Sequence, residues 1–526
     1  MNPAVPSAHR WLKPIFFLAI LFSAFTASGE DAIPLAGLFH NEDSTQIFYT
    51  QKFPPGKAGE VIDHYVDVMA GAGVKVFLCN TNSRRTNYAS RVWDSYWGTY
   101  DPAAPDDQPF LKPVPKDGMQ TYRNIIGNML AVHQQGIDYP ARVIARCRHD
   151  GMSPWITLRM NDCHYNDIPT HPFHGTFWQK NPQLVRKNCP GYFATCLDYA
   201  HTEVRDFYMA LVNETLDRYD IDGLELDFMR EPYLFSAGEE AKGAAILTAW
   251  IRDVRKLVDA TAAKRGHPIR LGVRVPSRPE TALAMGLNAA GWAREGLIDL
   301  LVATPRWATL EFDMPLAQWR KLMGDSKTTL AGGLEILYRP WPGGPAAAAS
   351  PEIATGAALS VLANGADVVY LFNHFQGTWP QPVFQKTLKA MNALNTLLEQ
   401  PRCVGITYRD ITAPKETYAP PLPATGKTLA FRIKLGPLPK SPGPCTLRVG
   451  LVPAQQGAAT AVPTVTVNDE PCSLRGEATE NGLRVLSFIV PPTALGKTGV
   501  LKIKIASADA KELTVQRLEA SLDGRP

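Results

Sequence analysis

Two carboxylates lie two residues apart in the segment Asp222-Gly-Leu-Glu-Leu-Asp-Phe-Met-Arg-Glu231. The run Asp220-Ile-Asp-Gly223 reads as a turn, and a short strand follows it. Side chains alternate along a strand, so Gly223, Glu225 and Asp227 share one face and Leu224, Leu226 and Phe228 the other. A closed parallel barrel explains this pattern. Its strands turn one face to the outer helices and the other to the barrel axis. Asp227 then lies at the carboxyl end of its strand, where such barrels place their chemistry. Glu225 lies roughly 7 Å deeper and requires a buried partner. Arg159 and Arg274 point inward by the same parity and are the expected neutralisers.

The chemistry such carboxylates suit is glycoside hydrolysis. One protonated carboxyl acts as general acid, and one ionised carboxylate acts as nucleophile or as base for water. Asp227 is the expected ionised group, held so by Arg230 or Arg274. Glu335 ends a strand on the opposite side of the barrel mouth and is the expected acid, with Glu231 and Glu280 as rivals.

The rest of the chain supplies the scaffold. Strands are expected over 45–50, 74–79, 155–161, 222–231, 269–275, 298–303, 329–335 and 367–373. Helices are expected over 58–72, 121–149, 203–219, 239–265, 283–295, 316–323, 351–363 and 383–399. Eight strands alternating with helices predict an α/β fold, a (β/α)8 TIM barrel over 30–400. The alternative is an open doubly wound sheet, but no Gly-rich phosphate loop opens a helix. A Pro-rich linker is expected over 401–423. From 424 to 526 the pattern changes to short alternating strands (428–435, 445–452, 464–467, 483–489, 500–505 and 513–522). These predict a small antiparallel β-sandwich.

Residues after each strand then share one face. The expected substrate-binding set is Arg159, Asn161, Asp162, His164, Glu225, Arg230, Arg274, Trp307, Tyr338, Trp341, Asn373 and His374. Six of the 11 tryptophans (Trp93, Trp97, Trp178, Trp307, Trp341 and Trp379) fall in these loops. Indole rings stack on sugars at little conformational cost. A carbohydrate substrate follows.

The address is read from the N-terminus. His9, Arg10 and Lys13 precede the apolar run 15–25 and then Ala27-Ser-Gly29. This is a signal peptide over 1–29, implying a secreted or periplasmic protein with no membrane span after cleavage. A net charge of +4 with no long basic run gives no case for nucleic acid. No cofactor is expected. No metal is expected either: Asp162, His164, His171 and His174 are the only hints of one. Eight cysteines allow disulfides in an exported protein, with Cys189–Cys196 and Cys445–Cys472 as pairs to examine.

The segment Asp222–Arg230 is similar to the Asp-Gly-(apolar)-x-(apolar)-Asp-(aromatic) fourth strand of glycosyl hydrolase-like, family-10-like TIM-barrel proteins of the exported bacterial type. It also resembles the fourth strand of the α-amylase and α-galactosidase clans. There the last Asp is the nucleophile, a role the resemblance implies for Asp227. Arg159-Met-Asn-Asp162, with His164, looks like a companion motif. The resemblance covers roughly 35–400. Met229 stands where chitinase-type barrels carry the catalytic Glu, and the Asn-Glu pair of the large retaining clan is absent. The expected activity is a glycoside hydrolase. The rivals are a non-catalytic carbohydrate-binding barrel and a metal-dependent hydrolase using Asp162, His164 and Asp227.

Overall fold

The computed structural model describes residues 35–524 except 308, 407, 454–460 and 510. The segment read as a signal peptide lies outside the described residues. Eight parallel strands close into a barrel: β1 (Leu38–Asn41), β2 (Val74–Asn80), β3 (Ser153–Arg159), β4 (Gly223–Asp227), β5 (Arg270–Pro276), β6 (Leu300–Thr304), β7 (Thr329–Glu335) and β8 (Val368–Phe372). Each pairs with its neighbours in sequence, and β1 closes on β8. The barrel has two cores. Leu224, Leu226 and Phe228 join the large outer core beneath the helices. A separate inner core holds Phe39, Val76, Leu78, Trp155, Leu300 and Tyr370, among others. The parity read from β4 is therefore the parity of the fold.

Trp155 plugs the amino-terminal part of the axis. It lies opposite Gly223, where a Cβ would meet the indole at 2.2 Å. Gly223→Ala must push a rigid ring through a filled interior. Overpacking of this kind costs about 1–3 kcal/mol, which urea denaturation would register as a lower midpoint at unchanged slope.

The helices expected over 283–295 and 383–399 are each two, Pro279–Ala284 with Ala289–Arg294 and Gln381–Ala390 with Leu394–Leu398, and three further parts of the scaffold differ from expectation. Residues 45–50 are not the first strand: Gln46–Thr50 is a short helix, and the strand is Leu38–Asn41. Thr, Ile, Phe and Tyr favour strands only as residues that fit a pleated surface, and here Ile47 and Phe48 bury against the outer core instead. The helical stretch 121–149 is two helices, Met119–Gln134 and Tyr139–His149. Gly136 at φ +74° breaks it, and the Asp138 side chain caps the second helix by accepting from the Ala141 amide.

The third difference is the linker. Arg402–Gly405 is already a sandwich strand, β9. It begins the larger sheet, which continues with β10 (Ala424–Gly426), β12 (Cys445–Leu451), β14 (Ser473–Glu480), β15 (Leu483–Val490) and β17 (Leu513–Leu522). The order is β9-β17-β12-β15-β14, with β10 beside β17. The second sheet runs β11 (Thr428–Lys434), β16 (Val500–Ala506), β13 (Thr464–Val467), then the two-residue strand Glu470–Pro471. β14 escapes a hydrophobic pattern because nearly every residue of it is exposed. Residues between β9 and β10 fold back onto the barrel. Ile411 and Ala413 pack with Met229 and Met285, and Tyr233 donates to the Thr412 carbonyl at 2.9 Å.

Candidate active site

The site is built in tiers up the barrel axis. In the middle tier Glu225 is fully buried. Its Oε2 accepts from Thr157 Oγ1 (2.7 Å), Tyr370 Oη (2.9 Å) and Asn41 Nδ2 (3.2 Å). Register makes this possible, since Thr157 and Glu225 are direct partners across β3 and β4. The deep carboxylate thus takes hydroxyl and amide partners, and neither Arg159 nor Arg274 bonds it as expected. Its Oε1 is buried with no hydrogen-bond partner among the described residues. Burial, then the Asp227 charge, push its carboxyl up to about 7 against the hydrogen bond from Thr157.

A carboxyl raised from its ordinary 4.5 binds its proton more tightly in the folded chain. Its stabilising contribution is complete below about pH 4.5 and is lost as pH rises through about 7. Glu225→Gln removes the titration. From pH 5 to pH 8 the variant is expected to lose less stability than wild type, by on the order of 2–3 kcal/mol. Parallel stability curves for the two proteins across that interval would refute this.

One tier higher, Arg274 is fully buried and bridges two carboxylates. Its Nη1 donates to Asp227 Oδ2 at 3.0 Å and its Nη2 to Glu335 Oε1 at 3.2 Å. Of the two arginines expected beside Asp227, Arg274 bonds it and Arg230 does not. The guanidinium lies 3.9 Å from the Phe372 ring centroid, a cation–π contact in a desolvated setting. Asp227 Oδ1 also accepts from the Met229 amide at 2.8 Å. Glu335 Oε2 is buried with no hydrogen-bond partner among the described residues. Burial pushes Glu335 up to about 7, against the charges of Arg274 and Arg230.

The rim carries a second network. Arg159 Nη1 donates to Asp162 Oδ2 at 2.7 Å, and its Nη2 to Asp43. Asp162 Oδ1 faces His164 Nδ1 at 2.7 Å, and the His164 side chain is 41% exposed. Asn373, in the left-handed region at φ +59°, donates to Asp43 Oδ2 at 3.0 Å and accepts from the Asp43 amide at 2.9 Å. Burial alone would raise the Asp43 carboxyl, but Arg230 and Arg159 hold it down at about 2. Arg230 lies 3.8 Å from Asp43. Glu231 is buried, with Arg306 Nη2 at 3.5 Å and Tyr192 Oη at 3.4 Å, and burial raises its carboxyl.

Other expected site residues lie elsewhere or are engaged in the scaffold. Tyr338 is buried and donates to Glu519 of β17 at 3.0 Å. Trp341 is buried with Leu483 and Val485. Both join barrel to sandwich. Asn161 clamps Leu197 through the backbone amide and carbonyl. His374 is buried; its carbonyl accepts from His40 Nε2 at 3.2 Å, and burial lowers its ring to about 3. Glu280 is exposed on the helix Pro279–Ala284 and accepts from Gln318. Five of the six tryptophans are engaged in the scaffold. Trp93 stacks on Phe207 and Trp97 on His133, Trp178 lies between His174 and Arg84, and Trp379 donates to the Ala349 carbonyl. Only Trp307 of the six is exposed, at 43%.

Among the described residues no group of three or more His, Cys, Asp or Glu is placed to hold a metal ion. His171 and His174 serve the loop: His171 Nδ1 accepts from the Phe173 amide, and His174 contacts Arg84. The cysteines also differ from expectation. All eight are free thiols. Cys196 faces Cys163 across 3.0 Å, whereas Cys189 donates to the Lys187 carbonyl. No helix among the described residues is long and apolar enough to cross a membrane.

Sequence reasoning missed Asn41 and Asp43 because the first strand was placed too late. The polar run His40-Asn-Glu-Asp43 after Leu38-Phe39 was the available signal. It also missed Tyr370, whose hydroxyl supports Glu225.

No family model matches the chain, and no curated protein matches it. Among solved structures it is similar to α-L-fucosidase isoenzyme 2 from Paenibacillus thiaminolyticus, at 15% identity and a TM-score of 0.40 over 68% of this chain and 48% of that one. The chain thus spans about half the length of that enzyme. It is also similar to the PgaB (BpsB) glycoside hydrolase domain from Bordetella bronchiseptica, at 10% identity and 0.39 over 69% and 99% of the two chains. A noncanonic maltogenic α-amylase, AmyB, from Thermotoga neapolitana matches at 9% identity and 0.37 over 92% and 98%. These likenesses concern the fold. The chain is a (β/α)8 barrel followed by a β-sandwich.

Proposed function

We propose that the protein is an exported glycoside hydrolase that cleaves O-glycosidic bonds of a poly- or oligosaccharide at the carboxyl-terminal mouth of the barrel. The observation that carries this reading is the Arg274 bridge. It joins carboxylates from the ends of β4 and β7 while leaving Glu335 Oε2 bare. Arg274 and the Met229 amide prepare Asp227 to act as an anion, either on the anomeric carbon or on a water. Glu335, at about 7, keeps a proton on its free oxygen and delivers it to the departing glycosidic oxygen. A carboxylate fixed by donors beside a carboxyl that burial keeps protonated is the pattern this chemistry requires. Export rests on the N-terminal charge and apolar pattern, and the barrel resemblance agrees with the reaction class.

The test is reducing-sugar release by the chain from residue 30 onward, over a broad panel of polysaccharides near pH 6. Release from at least one glycan, absent after heat inactivation, is the expected result. A folded protein that releases nothing from the panel yet binds one of its members would favour a carbohydrate-binding barrel instead.

A further inference from the structure

Arg159, Arg274, Arg306 and Arg230 lie at the mouth, and the first three are occupied. Arg159 holds Asp43 and Asp162, Arg274 holds Asp227 and Glu335, and Arg306 lies 3.5 Å from Glu231. Arg230 is the exception. It is 8% exposed, yet its side chain makes no hydrogen bond to any described residue. Its nearest carboxylate is Asp43, at 3.8 Å and already bonded by Arg159. Its Nε is sealed from solvent without a partner, as are those of Arg159 and Arg274, but unlike theirs its terminal nitrogens make no hydrogen bond to a described residue.

Stripping a guanidinium of water costs several kcal/mol unless an anion and hydrogen bonds replace it. Here the protein supplies neither in full. Arg230 stands over the Phe372 ring at 5.3 Å, beside Arg274 over the same ring, and its charge reaches Glu335. Its backbone carbonyl accepts from Arg306 Nε at 3.3 Å, which brings a second guanidinium alongside. A pre-oriented planar fork with free donors, set next to the carboxylates of the reaction, matches a planar or tetrahedral oxyanion held by two parallel hydrogen bonds. A sugar hydroxyl would leave the buried charge unanswered.

We infer that Arg230 selects an anionic glycan, binding a carboxylate or sulfate group on a sugar next to the cleaved bond. The inference rests on the glycoside hydrolase reading and narrows it to polyanionic substrates.

Direct binding tests it apart from turnover. Isothermal titration calorimetry would compare matched probes: oligogalacturonate against its methyl ester, and a sulfated carrageenan oligosaccharide against the neutral agarose oligosaccharide of similar length. Wild type should bind the anionic member of one pair at least about tenfold tighter, the scale of one charge-assisted pair, and the pair that responds identifies the anion. Arg230→Met should remove that preference. Arg230→Lys, which keeps the charge beside Asp43, should fold like wild type and retain only part of it. Equal binding within both pairs, including no binding at all, overturns the inference, as does a preference that survives Arg230→Met. Hydrolysis of neutral glycans alone would overturn it and leave the glycosidase reading intact. Anionic preference without hydrolysis of any glycan would do the reverse.

Discussion

Asp227→Asn is expected to reduce glycan hydrolysis on the order of 10⁴-fold, the scale of losing a group central to the bond-making step. Glu335→Gln is expected to behave differently. Removing a general acid costs about 10²–10⁴-fold where the leaving group needs a proton. A polysaccharide leaves as a sugar hydroxyl and requires that proton. A nitrophenyl glycoside leaves as a stable phenolate and requires much less help. Glu335→Gln should therefore lose most of its activity on the natural linkage and little on the aryl substrate, whereas Asp227→Asn should lose both. The pH profile adds a second signature. Glu335 must be protonated to work and sits at about 7, so wild-type kcat/KM should fall as pH rises through that value. Glu335→Gln should lack this limb. Equal losses on both leaving groups with an unchanged profile would move the acid role to Glu231, the other mouth carboxyl that burial raises.

The barrel was legible because most of its strands obey simple patterning. β7 and the helix Pro351–Ala363 fall where the sequence places them, and β4 alternates as its two environments demand. The strand that failed was β1. With four residues, all buried, and His40 and Asn41 among them, it offers neither length nor alternation. Losing it hid Asp43, the carboxylate that ties Arg159 and Asn373 together at the rim. Pairing Asp227 with Glu335 across the mouth followed from strand order, and the structure places one guanidinium between them. The tryptophans misled for the opposite reason. Long loops after β2 and β3 have to build their own cores, and indoles such as Trp93 and Trp97 serve there. Strand-end position shows which residues can reach the mouth; burial against neighbours decides which of them face it. The segment after β9 was invisible as part of the mouth because its contacts, through Ile411 and Thr412, are with residues about 120–185 positions earlier.

Arg274→Met should destabilise the fold by about 3–5 kcal/mol near pH 8, the cost of leaving buried charge without its partner. Methionine fills much of the same volume, so the cavity is small. What remains is two carboxylates, Asp227 and Glu335, each 1% exposed, with no cation between them. Their only escape is to take up protons. Without the guanidinium the folded state favours the neutral carboxyls more strongly than the unfolded chain does. Stability is then fully present below the unfolded value of about 4 and is lost as pH rises past the folded ones. The penalty at pH 5 should accordingly shrink toward the residue that does not titrate, the lost contact with Phe372 and the changed packing. Urea denaturation at pH 5 and pH 8 separates the two contributions. Adding Asp227→Asn and Glu335→Gln to Arg274→Met should recover most of the pH 8 loss, because a neutral trio leaves no buried charge unpaired. An equal penalty at both pH values, unchanged in the triple variant, would mean that Arg274 holds the barrel by its shape. Wild-type Glu335 is itself pushed up to about 7 with the guanidinium in place. The bridge therefore offsets burial only in part, and Glu335 holds its proton more tightly than an ordinary carboxyl.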